Sequence, residues 1–177
     1  MGWTSYHAQF YKNGKVDRKK ELDFEFDRSD SFRVLKSSMV GSTYYAAVSN
    51  GEIVFGLVVR TATDSKDYCN FSYKAMDETE EPYLYDCPKA ILDMLSPTDN
   101  EYALRWRNKC AIYRNKSGRL RALPIGAEIE VQYGSRMLRL TKYAARFSSM
   151  QPFWSADGYR YMPIRYIPVD FKVISEG

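Results

Sequence analysis

Two apolar runs on either side of Asn50-Gly51 constrain this chain more than any other feature. The first, residues 42–49, reads Ser-Thr-Tyr-Tyr-Ala-Ala-Val-Ser; the second, within residues 52–61, reads Ile-Val-Phe-Gly-Leu-Val-Val. Asn-Gly between apolar runs is the strongest short-range hairpin signal, because both turn residues must tolerate positive φ. The second arm has almost no polar position. It offers no face to water and is expected to be a central strand covered on both sides.

The flanking sequence extends that sheet. Residues 31–40 read as a strand before the hairpin and residues 67–73 as one after it. Residues 2–11 alternate polar and aromatic side chains, as a strand or an ordered arm, and Asn13-Gly14 marks a turn. Asp17 is placed to cap a short helix through Asp27, with Leu22 and Phe26 one turn apart on a shared face. Asp86 ahead of Cys87-Pro88 signals a second short helix carrying Ile91, Leu92 and Leu95, with Pro in its first turn. Ser96-Pro97-Thr98-Asp99 restarts the pattern, with Ser96 as N-cap and Pro97 next. That third helix is expected to run to about Lys116 and stop before Gly118.

From Leu123 the pattern changes to short strands, over residues 127–133, 136–143, 147–154, 159–162 and 169–174. Gly134-Ser135 and Asp157-Gly158 turn the chain. Pro124, Pro152, Pro163 and Pro168 sit at strand ends, where a missing donor costs least. The expected fold class is α+β: an antiparallel sheet with two to three helices, followed by a small C-terminal SH3-like or curled β-barrel unit. The expected domains are 1–118, and 123–177 packed on it.

A chain of 177 residues holds one core, or a domain plus a small appendage. With 45% hydrophobic and 27% charged residues, the composition excludes wholesale disorder. No stretch approaches the roughly 18 apolar residues of a membrane span, and no basic-then-apolar leader opens the chain. Tyr6 stands where a myristoylation motif needs Ser or Thr. The expectation is a cytoplasmic protein without a membrane partner. Cys69, Cys87 and Cys110 are odd in number and widely spaced, so they read as free thiols rather than disulfides or zinc ligands. The expected metals and cofactors are none. Fifteen Tyr residues suit either a half-buried sheet surface or a platform on which bases stack.

Charge is informative when divided by segment. Residues 1–104 carry 12 basic and 17 acidic side chains, whereas residues 105–121 carry seven basic and no acidic ones. On a helical wheel starting at Arg105, the residues Tyr102, Ala103, Trp106, Cys110 and Tyr113 fall in one stripe about 100° wide, which should face the core. Arg105, Lys109 and Lys116 lie on one flank of that stripe, Arg107 and Arg114 lie on the other, and Arg119 and Arg121 continue the charge. Such a run can bind phosphates with counterion release, or it can be a solvated face that complements the helix dipole or docks on the acidic run at 77–81. Arg136, Arg139 and Lys142, with Tyr133 and Tyr143 nearby, form a second candidate surface, for stacking plus charge.

His7 is the single histidine, which excludes any two-imidazole mechanism. It is a weak candidate for a lone general base, against an ordinary structural role. No nucleophile elbow, P-loop or dinucleotide fingerprint is present, and the acidic run lacks EF-hand spacing.

The stretches Met1-Gly2-Trp3-Thr4-Ser5-Tyr6-His7-Ala8, Tyr11-Lys12-Asn13-Gly14-Lys15, Val34-Leu35-Lys36-Ser37-Ser38-Met39-Val40-Gly41, Asn70-Phe71-Ser72-Tyr73-Lys74 and Tyr85-Asp86-Cys87-Pro88 running on to Leu95-Ser96-Pro97-Thr98-Asp99-Asn100-Glu101, with Leu123-Pro124-Ile125-Gly126, resemble an uncharacterised family of small proteins carried by bacterial mobile elements, prophages and plasmids. The resemblance extends to about residue 126 and brings no catalytic residues to carry over. It implies a bacterial host cell and a mobile-element accessory role, such as counter-defence by an anti-CRISPR-type inhibitor that binds RNA or a CRISPR-type ribonucleoprotein. Two other roles stay open, a metal-independent ribonuclease and a protein-protein interaction module, as does a homodimer.

Overall fold

The structure, a computed structural model, describes residues 3–62, 66–75, 84–144, 152–156, 158 and 160–177. In chain order it contains β1 (Thr4–His7), β2 (Tyr11–Lys12), β3 (Lys15–Val16), α1 (Arg18–Asp27), β4 (Arg33–Val40), β5 (Thr43–Ser49), β6 (Val54–Thr61), β7 (Tyr68–Ala75), α2 (Lys89–Leu92) and α3 (Glu101–Ala122). Then follow β8 (Glu128–Tyr133), β9 (Arg136–Lys142), β10 (Phe153–Ser155), β11 (Tyr161–Met162), a 3-10 turn at Ile164–Tyr166, and β12 (Lys172–Ser175). The fold class is α+β with antiparallel sheets. Two compact units divide within α3, Met1–Cys110 and Ala111–Gly177. The acidic run at 77–81, residues 147–151 of the strand expected over 147–154, and Asp157 of the predicted turn lie outside the described residues.

In the first unit one five-stranded sheet has the order β1-β7-β6-β5-β4. β6 occupies its centre, as its apolar run demands. β5 is buried along nearly its whole length because alternate residues feed two cores. Tyr44, Ala46 and Val48 join Leu22 of α1 with Leu57, Val59, Cys69 and Phe71 on one face. Tyr45 and Ala47 join Val58, Cys87, Ile91, Trp106 and Cys110 on the other. Phe26, one turn after Leu22, packs against the first of these cores.

The β5–β6 turn differs from a two-residue hairpin. Ser49 pairs with Val54, leaving four residues outside the ladder. Only Gly51 takes positive φ, at 94°. Asn50 accepts from the backbone N–H groups of Glu52 and Ile53 through Oδ1, so it acts as an Asx turn.

The helix boundaries follow local capping chemistry. Asp17 caps α1 by accepting from Lys20 N at 3.2 Å. Two expected caps are replaced. Asp86 instead accepts from the Tyr45 hydroxyl, leaving Pro88 in the cap position of α2. Ser96 Oγ accepts from Val54 N at 2.8 Å, which ties its segment to β6, and Asn100 caps α3 by accepting from Ala103 N at 3.0 Å. At its far end α3 continues through Gly118 to Ala122. Leu120 is fully buried there, so the last turn is held by packing.

In the second unit the sheet order is β11-β10-β9-β8-β12. Its core is Leu120, Ile129, Val131, Leu140, Phe153, Met162, Ile164, Ile167 and Phe171. Strands β11 and β12 stand at the two edges and do not pair with each other, so the described sheet is open rather than a closed barrel.

Candidate cationic surfaces

The helix wheel places the core stripe of α3 correctly: Ala103, Trp106 and Cys110 are buried in the first unit. The Trp106 indole donates to Leu84 O at 3.1 Å. The charged residues around this stripe have separate fates. In the first unit, Arg105 is exposed, lies over the Tyr102 ring and reaches Glu101 at 3.8 Å. Lys109 is half-buried over the Tyr85 ring and donates to its hydroxyl at 3.4 Å. Arg107 is half-buried, and burial alone holds its guanidinium below the usual arginine range.

In the second unit, Lys116 leaves the surface set altogether. It is 5% exposed, lies over the Tyr113 ring, and donates to Ile167 O at 2.7 Å and Arg165 O at 3.3 Å. The wheel put it only about 20° from Arg105, but the carbonyls of Arg165 and Ile167 in its own unit draw its ammonium inward. Arg114 is half-buried, Arg121 is exposed, and Arg119 is exposed above the Phe171 ring at 4.6 Å.

The grouping of Arg136, Arg139 and Lys142 separates in space. Arg136 pairs in register with Tyr133 at the end of the β8–β9 hairpin. Arg139 stands opposite Glu130, which also faces Lys172 of β12. Lys142 folds onto the end of α3, donating to Leu120 O, Arg121 O at 2.7 Å and Leu123 O. It is a C-terminal capping cation that satisfies carbonyls the helix cannot. Desolvation holds its ammonium below the usual lysine range.

The first unit carries a further cationic cluster within the net-acidic residues 1–104. Residues 12–20 hold five basic side chains and one acidic one. Asn13 and Gly14 take φ of 51° and 72°, the signature of a type I′ turn, so Lys12 and Lys15 face each other directly across β2 and β3. Like charges in that position repel. Both are exposed, and neither ammonium has a hydrogen bond or ion pair among the described residues. With Arg18 and Lys19 they border a concavity of about 530 Å³ whose floor includes Val16, Met39 and Thr61. Arg18 Nε donates to Ala62 O at 3.1 Å, and Lys19 pairs with Asp23 at 2.6 Å. Asp17 is the single acid on this lining, and its carboxylate is occupied in capping α1. A sequence signal existed: a Lys on each side of an Asn-Gly turn.

His7 is exposed on β1 and lies against the Tyr68 ring, centroids 4.1 Å apart. No acid or base pairs with it among the described residues. Ser37 donates to Asp23, which also accepts from the Tyr44 hydroxyl at 2.9 Å, an arrangement that fastens α1 to β4 and β5. The described residues include no group of three His, Cys, Asp or Glu arranged to hold a metal. No described helix is long and apolar enough to cross a membrane.

The chain is therefore an α+β protein whose described residues form two five-stranded antiparallel sheets and a two-stranded one, with a concavity in the first unit bordered by Lys12, Lys15, Arg18 and Lys19. No family model matches it, and no curated protein or solved structure does so either.

Proposed function

We propose that the chain is a mobile-element accessory protein that binds RNA or a ribonucleoprotein through cationic surfaces, in the manner of a counter-defence, anti-CRISPR-type inhibitor. The mobile-element setting rests on the sequence resemblance. The binding mode rests on one observation: Lys12 and Lys15 are held directly opposite each other, in register and without an acid between them, on the rim of a concavity also bordered by Arg18 and Lys19. A fold that sustains such repulsion gains when a phosphate backbone enters and releases its counterions.

The second unit supports the same reading. Residues 111–177 hold 11 basic and five acidic side chains, against 15 and 17 in residues 1–110. We infer the SH3-like reading of this unit from its four-strand meander, with a last strand returning to pair β8 after a 3-10 turn. Arg119 and Arg121 are exposed on it.

The test is anisotropy of a fluorescein-labelled single-stranded RNA at several salt concentrations. Wild-type protein should bind with affinity that falls steeply as salt rises. The double variant Lys12→Glu, Lys15→Glu should bind at least tenfold more weakly at low salt. Equal affinity of variant and wild type, or binding indifferent to salt, would sink the proposal.

A further inference from the structure

In the first unit, the start of β6 and the segment leading into α3 enclose a cavity of about 250 Å³ lined by Val54, Gly56, Ser96, Thr98, Ala103 and Arg107, among others. Its polar side chains are Ser96, Thr98, Asp99 and Arg107. Arg107 Nε is buried and has no hydrogen-bond partner among the described residues. Ser96 Oγ accepts from Val54 N at 2.8 Å, and Thr98 Oγ1 accepts from Asn100 N at 3.1 Å. Each hydroxyl has thus committed a lone pair to the backbone and still has its hydrogen to give.

An N–H of a charged group that is buried without an acceptor is costly, and a fold normally pairs it or replaces it with an apolar side chain. Asp99 also borders the cavity, but it is exposed and leaves Nε without a partner. Burial of Arg107 without a compensating acceptor lowers its affinity for its own proton, as expected of a cation that lacks its anion. The start of α3 adds partial positive charge of the same sign.

We propose that this cavity binds a small oxyanion, a carboxylate or phosphate group on a short body, with Arg107 as its charge partner and the Ser96 and Thr98 hydroxyls as further donors. The missing side chain at Gly56 leaves room at the strand, and Val54 and Ala103 give the body an apolar wall. The volume is below the ~300–1,000 Å³ usual for drug-sized ligands, which confines the occupant to a small molecule. Planar carboxylate suits the guanidinium fork best. The site is separate from the Lys12–Lys15 concavity and does not depend on RNA binding.

Thermal unfolding of the full chain in chloride, propionate and inorganic phosphate at matched ionic strength tests it. Propionate or phosphate should raise the midpoint above that in chloride, with saturation, and the more effective anion identifies the group. Because phosphate also stabilises proteins by exclusion from their surfaces, the shift must disappear in Arg107→Met and persist in Lys12→Glu, Lys15→Glu. Neither anion shifting the wild-type midpoint, or an equal shift in Arg107→Met, would overturn the site. Should Arg107→Met fail to fold, the Nε–H resonance of Arg107 in the wild-type protein decides: it should move on titration with the effective anion, and a stationary resonance refutes the proposal.

Discussion

Lys142 shows how one side chain's charge can be absorbed by its own fold. Its ammonium spans the carbonyls of Leu120, Arg121 and Leu123, so it serves α3 rather than a partner. Lys142→Met should cost about 2 kcal/mol of stability, as expected for several hydrogen bonds from a charged donor. Urea unfolding measures that loss, and RNA affinity should remain within twofold of wild type. The cysteines make a second prediction at this scale. Cys69, Cys87 and Cys110 are all buried, and burial raises the Cys69 thiol above its ordinary range. A thiol reagent should label none of them quickly in native protein and all three in denaturant; fast native labelling of any one would contradict this burial.

Among the elements, α3 departs most from a helix read by residue preference. Gly118 lies inside it, and a Cβ added there would meet nothing within 4 Å. Gly118→Ala should therefore stabilise the protein by about 0.5–1 kcal/mol, by removing backbone freedom from the unfolded chain. A lower unfolding midpoint would show that the position is not open. α1 gives the converse case. Asp17→Ala removes the side chain that accepts from Lys20 N and should cost about 1 kcal/mol, read as a lower urea midpoint with unchanged slope. Element types and order were largely legible, because β5, β6, α1 and the helical stripe of α3 announce themselves by period. Element ends were less so. Ser96 and Asp86 are both good caps by type, but a backbone N–H of β6 and the Tyr45 hydroxyl, each some 40 residues away in sequence, claim them instead.

At the scale of the molecule the charge is unequal, with an excess of six basic side chains in residues 111–177 and of two acidic ones in residues 1–110. Local geometry still gives the acidic unit a cationic concavity, so net charge is a poor guide to where an anion would bind. If Lys12 and Lys15 each neutralise one phosphate, changing both to Ala should lower the magnitude of the log K against log salt slope by roughly 1.4 for a single strand. Applying Arg105→Glu, Arg114→Glu, Arg119→Glu and Arg121→Glu together tests whether the α3 cations contribute as well. A slope unchanged in both sets would place RNA contact elsewhere.

The order of strands and helices, the central place of β6, the core stripe of α3 and the turn between Lys12 and Lys15 follow from the sequence by itself, because periodicity and turn chemistry act between residues close along the chain. Which cations face solvent did not follow. Lys116 and Lys142 are drawn inward by carbonyls of Ile167 and Leu123, and Arg107 borders a cavity that exists only where β6 meets the approach to α3. Those outcomes depend on contacts between distant segments, and only the packed tertiary structure sets the balance of desolvation and hydrogen bonding that decides them.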